Sequence, residues 1–309
     1  MAWLEITINT QPGAVNALAT ALTGMGFEDL CIEDQQEFET FLEENREYWD
    51  YIDEDLAQSL QGLSRIKLYL EDTEQTRLAL LQDYARGREL TMQVAPLPET
   101  NWEESWKDNY PPQEVGKSLV VLPYWLAEQE TDRKKIILDP GLTFGTGAHP
   151  STQMVMETME ERIRPGMHCL DLGSGSGILS ITALRLGAAS AIGVDIDAKA
   201  EDIARENAAY NGFAAPEFTA LTGNVTEDSE LMKRLGQGHY DVVLVNIVAD
   251  VIIGLSPVLP EFLEENSVLI LSGILDTRLQ DVLQALEKAG LKVQTIREKE
   301  EWRCVTAGK

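Results

Sequence analysis

The sequence predicts an α/β protein in two parts, a parallel sheet covered by helices on both faces and a smaller α+β unit in front of it. Three observations lead there. From Gly166 onward, apolar strand-like runs alternate with helical patterns, the arrangement of a doubly covered parallel sheet. The turn "DLGSGSGIL", beginning at Asp171, joins a buried strand to a helix through Gly173, Gly175 and Gly177, which is where such sheets receive ligands. The first hundred residues hold two rounds of strand, helix, strand, the pattern of a small sheet with its helices on one side.

In the front part, Trp3, Glu5 and Thr7 alternate with Leu4, Ile6 and Ile8 in a strand. Residues 14–25 follow as a helix stopped by Gly26, and a short strand surrounds Leu30 and Ile32. The second round is a strand over 65–70, a helix over 74–85 stopped by Gly87, and a strand over 90–97. Between the rounds, residues 35–60 are charged and carry Phe38, Phe41, Leu42, Tyr48 and Trp49; an inserted helical hairpin is expected. Residues 1–100 thus form a ferredoxin-like domain. It lacks a nucleophile with a matching base, so recognition or packing is its expected role. The proline- and tryptophan-rich stretch 101–117 reads as a linker, and residues 118–309 as the second domain. There, strands over 118–122 and 135–138 lead into "LDPGLTFGTGAHPST" and a helix over 153–163.

Composition bounds the function. With 309 residues, 44% of them hydrophobic, the chain can bury a core in each of two domains. Its start lacks a basic, then apolar, secretory pattern, and Glu5 argues against a mitochondrial presequence, so a cytoplasmic protein is expected. The most apolar stretch, 242–255, is broken by Asn246 and Asp250 and falls short of the roughly 20 residues that cross a bilayer. Cys31, Cys169 and Cys304 form no CxxC pair and have no histidine at ligand spacing, so neither disulfide nor metal is expected. The net charge of −27 repels nucleic acid and anionic lipid, and either suits a cationic partner or serves solubility alone. Residues 1–110 are the more acidic, with 23 acidic and 7 basic side chains.

The glycine turn narrows the cofactor. A dinucleotide turn reads G-x-G-x-x-G, and its third glycine would fall on Ile178, which disfavours nicotinamide cofactors. Asp195, in "GVDID", ends the next strand 22 residues after Gly173, where a carboxylate accepts from ribose hydroxyls. The pattern D-x-G-x-G-x-G resembles the turn of Rossmann-like S-adenosylmethionine-dependent methyltransferases. Asp171 is then expected to face the cofactor's amino acid portion, which tolerates an acid where a phosphate would not. Asn246 follows four apolar residues at the end of a strand; it is either a ligand-facing amide or a helix cap. The ends "TGN" (222–224) and "SGIL" (272–275) share its sheet edge. The segment "GLTFGTGAHPST" lacks the lysine of a phosphate-binding loop.

In order and spacing, "DPGLTFGTGAHPST", "DLGSGSGIL", "GVDID", "NIVA", "LSGIL" and the terminal "EEWRCVTAGK" are similar to the PrmA family, the methyltransferases of ribosomal large-subunit protein L-eleven. The similarity is strong from Trp102 to the C-terminus, and over residues 1–100 rests on size and strand order. It implies a Rossmann-like methyltransferase domain with S-adenosylmethionine as cofactor and the L-eleven protein as substrate, methylated on lysine side chains and the N-terminal α-amine. It also implies cofactor contacts from Thr152, Gly173, Gly175, Asp195 and Asn246, with Phe144 and Thr146 closing a lid and Asn246 at the reacting end as the catalytic residue. A monomer is expected. Thr152 alternatively caps the helix from Gln153, and His149 either takes a proton or fixes its loop. The alternatives for the whole chain are a methyltransferase of the same fold acting on lysines of another protein, a nicotinamide-dependent oxidoreductase, and a cofactor-binding adaptor without catalysis.

Overall fold

Period-two alternation puts Ile6 and Ile8 of β1 (Trp3–Asn9) on one sheet face with Ile66, Leu68 and Leu70 of β3 (Ser64–Glu71), in a register that sets Ile6 opposite Leu68 and Ile8 opposite Ile66. In this computed structural model, which describes residues 3–27, 29–44, 61–97, 107, 110–140 and 147–309, β2 (Cys31–Asp34) and β4 (Thr91–Leu97) complete an antiparallel sheet of order β2-β3-β1-β4. Helix α1 (Val15–Gly24) brings Val15, Leu18 and Leu22 into its core. Helix α2 (Gln35–Glu44) follows β2 directly, begun by Asp34, whose carboxylate accepts from the Glu37 amide at 2.9 Å. Helix α3 (Gln75–Gly87) adds Leu81 to the same core. Of the expected hairpin over 35–60, the described part is this single helix α2; residues 45–60 lie outside the described residues. The chain divides into two units, Met1–Asn109 and Tyr110–Lys309.

The second unit opens with a three-stranded sheet of β5 (Gln113–Val115), β6 (Leu119–Pro123) and β7 (Lys134–Leu138), in which β6 and β7 run parallel. Helix α4 (Pro150–Arg162) follows. The main sheet comprises β8 (His168–Leu172), β9 (Ser190–Asp195), β10 (Phe218–Thr222), β11 (Val242–Asn246), β12 (Val268–Leu275), β13 (Lys292–Lys299) and β14 (Trp302–Gly308), in the order β10-β9-β8-β11-β12-β14-β13. The first five are parallel and β14 lies antiparallel to β12. Helices α5 (Ile178–Leu186), α6 (Ala198–Tyr210), α7 (Ser229–Gly236), α8 (Ala249–Leu255) and α9 (Leu279–Lys288) connect them.

Both faces of this sheet are covered, which is why its strands read as continuous apolar runs. Cys169, Leu244 and Ile270 pack on one side with Val155 of α4 and Ile181 of α5. Leu170, Val243 and Leu271 pack on the other with Ile252 of α8 and Val282 of α9. Because the five strands are parallel, their C-terminal ends share one edge. The order reverses between β8 and β11, so the connections leave to opposite sides and open a crevice at that edge.

Candidate active site

The turn after β8 folds onto the end of β9: the amides of Gly173 and Ser174 both donate to the Val194 carbonyl, at 2.8 and 3.1 Å. Gly173 adopts φ 78°, and a Cβ there would stand 2.4 Å from Cγ2 of Ile247. Gly177 also has φ 78°, and its added Cβ would meet Cβ of Ala204 at 3.0 Å. A side chain at either place would be strained and crowded, so the turn keeps bare main chain at both.

Asp195, at the end of β9, holds this turn. Its Oδ2 accepts from the Gly175 amide at 2.8 Å and its Oδ1 from the Asp197 amide at 3.0 Å. A carboxylate has about four acceptor positions, so two remain for the hydroxyls of a ribose. Asp197 in turn caps α6, accepting from the Lys199 amide at 2.9 Å.

Across the crevice, Asn246 ends β11 and its Nδ2 donates to the Thr152 hydroxyl at 3.1 Å. The helix-cap alternative for Asn246 fails: α8 begins at Ala249 with Val248 in the cap position. Thr152 is not a cap either. Helix α4 starts at Pro150, earlier than the expected Gln153, because proline is favourable at the first helical position, and His149 caps it through Nδ1, which accepts from the Ser151 amide at 3.3 Å. Thr152 is therefore buried in the first turn, with its hydroxyl aimed at Asn246. The His149 ring stands edge-on to Trp302 with centroids 4.6 Å apart. Burial, opposed by Glu301 and Glu300, lowers its pKa and favours the uncharged ring.

Asp171 differs from expectation. It does not face the crevice: it is fully buried, and its Oδ2 accepts from the Ser180 amide at 3.1 Å and hydroxyl at 2.8 Å, tying the strand end to the first turn of α5. Burial, aided by the Asp195 charge and opposed by the Ser180 bonds, pushes its pKa up to about 7. Its Oδ1 has no partner among the described residues. Gly273, in "LSGIL", has φ 80° at a bulge in β12, where an added Cβ would lie 2.4 Å from the Ile247 carbonyl oxygen.

The structure therefore brings Gly173, Gly175 and Asp195 to one side of a single crevice and Asn246 and Thr152 to the other. Phe144 and Thr146 lie outside the described residues. Sequence reasoning missed His149 as the cap of α4, for which the His-Pro pair was the available signal. It also missed Asn207 on α6 and Asn211 directly after it, fully and nearly buried, which carry no local motif.

S-adenosylmethionine fits these residues. The turn offers main chain without a lysine or arginine to meet a pyrophosphate, and Asp195 offers acceptors for a diol and a negative charge that suits a cationic ligand. Among the described residues no group of three or more His, Cys, Asp or Glu is placed to hold a metal ion, and no helix is long and apolar enough to cross a membrane.

The family model described as "Ribosomal protein L11 methyltransferase (PrmA)" matches residues 2–309. A "Ribosomal protein L11 methyltransferase" of Heliobacterium modesticaldum is 33% identical over 317 residues, covering 99% of this chain and 97% of that protein. One of Agathobacter rectalis is 34% identical over 324 residues, covering 100% of this chain and 99% of that protein. The crystal structure of a ribosomal protein L11 methylase from Lactobacillus delbrueckii subsp. bulgaricus superposes with a TM-score of 0.58 at 30% identity, covering 65% of this chain and 99% of that one. With a match along nearly its whole length, this chain belongs to the ribosomal protein L11 methyltransferase (PrmA) family.

Proposed function

We propose that this chain transfers methyl groups from S-adenosylmethionine to amines of ribosomal protein L11, on lysine side chains and on the N-terminal α-amine. The reading is supported by family membership and by one observation above the rest: the Asn246 carboxamide is held by Thr152 at the end of β11, across the sheet's switch point from the glycine turn. S-adenosylmethionine, when bound, supplies a methyl group carried on a cationic sulfonium.

The chain's own residues then have distinct tasks. Gly173 and Gly175 let the cofactor approach the main chain, and the two unused acceptor positions of Asp195 receive the ribose hydroxyls. Thr152 fixes the Nδ2 arm of Asn246, so the carbonyl arm is directed to accept an N–H of the target amine and orient its lone pair. A lysine of pKa about 10.4 must lose its proton before it can attack. His149 already spends Nδ1 on the cap of α4 and is assigned a structural role. No strong base is required, because proximity and orientation contribute about 7 to 11 kcal/mol to such a step.

We assign residues 1–100 to holding the substrate protein and Tyr110–Lys309 to the catalytic domain; β5 (Gln113–Val115) pairs within that domain, so the linker expected over 101–117 ends before it. The net charge of −27 supports a cationic protein substrate and disfavours nucleic acid; a cytoplasmic monomer belongs to the same proposal. Titration calorimetry of the full chain with S-adenosylhomocysteine and with NAD tests the cofactor. Binding of S-adenosylhomocysteine alone is expected, and binding of NAD alone overturns the reading.

A further inference from the structure

Helix α6 meets the glycine turn at three levels. At its start, Asp197 both caps the helix and donates its amide to Asp195, which in turn holds Gly175. At its middle, Ala204 packs where a side chain on Gly177 would stand. The third level is Asn207, which is fully buried. Asparagine is a poor residue for a helix interior, and a buried carboxamide is costly unless it is hydrogen-bonded. Asn207 is bonded at both ends: its Nδ2 donates to the Ser176 carbonyl at 2.8 Å, and its Oδ1 accepts from the Asp139 amide at 2.8 Å.

These two partners belong to different pieces of the molecule. Ser176 lies within the glycine turn, and Asp139 is the residue directly after β7. Asn211, directly after α6, makes an analogous attachment to β7: its Oδ1 accepts from the Ile137 amide at 2.9 Å and from Nη2 of Arg185 at 3.2 Å, and its Nδ2 donates to the Ile137 carbonyl at 2.7 Å and the Asn207 carbonyl at 2.8 Å. Asn211 makes none of its bonds to the glycine turn. The molecule thus contains a matched pair, one amide that anchors β7 and one that joins the end of β7 to the turn.

We infer that Asn207 is a positioning residue of the cofactor site, setting the Ser176 peptide, and with it the run from Gly173 to Gly177, at a fixed distance from the end of β7. The inference rests on the cofactor reading above. Fixing the Ser176 carbonyl fixes the peptide plane it shares with Gly177, and the three glycines give the turn the freedom to lose that plane when the bond is removed. Removal therefore degrades the surface offered to the cofactor more than the groups that act on the target amine.

The test is calorimetry with S-adenosylhomocysteine on full-length parent, Asn207→Ala, Asn207→Asp and Asn211→Ala, with thermal unfolding of each. Asn207→Asp retains the size of the side chain and an acceptor for the Asp139 amide, but sets a carboxylate oxygen against the Ser176 carbonyl. About tenfold weaker binding is expected for both Asn207 variants. Turnover at saturating S-adenosylmethionine should be little changed, so that KM for the cofactor rises while kcat holds. Asn211→Ala should unfold at lower temperature with unchanged affinity. A parent that does not bind S-adenosylhomocysteine removes the cofactor reading, and this inference falls with it. A binding parent whose Asn207 variants bind equally well overturns the inference alone, as does failure of both Asn207 variants to fold, which would make Asn207 a core residue only.

Discussion

Asn246 donates from Nδ2 to the buried hydroxyl of Thr152 across 3.1 Å, joining the end of β11 to the first turn of α4. The bond orients a carboxamide whose free rotation would otherwise be resolved only when substrate arrives. If that orientation serves the target amine, Asn246→Ala should lower kcat by about a hundredfold, the cost of misplacing a reacting group, while affinity for S-adenosylhomocysteine changes little. Thr152→Val keeps the shape of the buried residue and removes its hydroxyl; its kcat should fall to an intermediate value. Steady-state kinetics beside calorimetry decides, and an Asn246→Ala enzyme as active as the parent would leave the amide without a role in turnover.

Asn246→Asp probes the protonation of the amine. A carboxylate keeps an acceptor at this place but favours the ammonium form, which has no lone pair to attack with. Activity should be low at pH 7 and recover in part as pH rises toward the lysine value of about 10.4. Initial rates from pH 7 to 10 should therefore climb more steeply for this variant than for the parent. Parallel profiles would contradict the assignment.

Asp195→Ala removes the acceptor that holds the Gly175 amide at 2.8 Å, along with the two positions offered to a ribose. Binding of S-adenosylhomocysteine should weaken by about 1.5 to 3 kcal/mol, the range for hydrogen bonds to a charged group. The fold should persist, since Asp197 and not Asp195 caps α6. Equal affinity with an unchanged circular dichroism spectrum would show that Asp195 serves the turn alone.

Asp171 gives a pH dependence of stability with a definite sign. Its pKa is raised from 3.8 to about 7, chiefly by burial, so the folded protein retains a proton that the unfolded chain has released. The resulting stabilisation is complete below about pH 4, declines by about 1.4 kcal/mol per pH unit as pH rises, and is gone above about pH 7. Asp171→Asn carries no titrating group and should lack this decline while keeping an acceptor for Ser180. Urea unfolding of both proteins at pH 5, 6, 7 and 8 reads the difference, and parallel curves would show that Asp171 is ionised in the folded state.

Much of the site was legible because parallel strands deliver their ends to one edge. Gly173, Asp195 and Asn246 each follow a buried apolar run, so their shared crevice could be read from chain order. Thr152, expected at the same crevice, bonds Asn246 there, but its neighbour Pro150 was read as loop when it is the first residue of α4. Asp171 was placed on the correct strand end with the wrong facing, because alternation along a strand covered on both sides gives no polar face to orient by. Asn207 could not be read at all: an isolated asparagine in a helix reveals its partners only once the chain has brought residues 139 and 176 beside it.

The most direct measurement of the central claim is methyl transfer itself. Purified ribosomal protein L11 is incubated with S-adenosylmethionine and the parent chain or Asn246→Ala, and its intact mass and modified peptides are followed by mass spectrometry. The account predicts stepwise gains of single methyl groups on lysine side chains and the N-terminal amine with the parent, and a greatly slowed gain with the variant. A parent that binds S-adenosylhomocysteine but leaves L11 unmodified, or that methylates another ribosomal protein in its place, would contradict it.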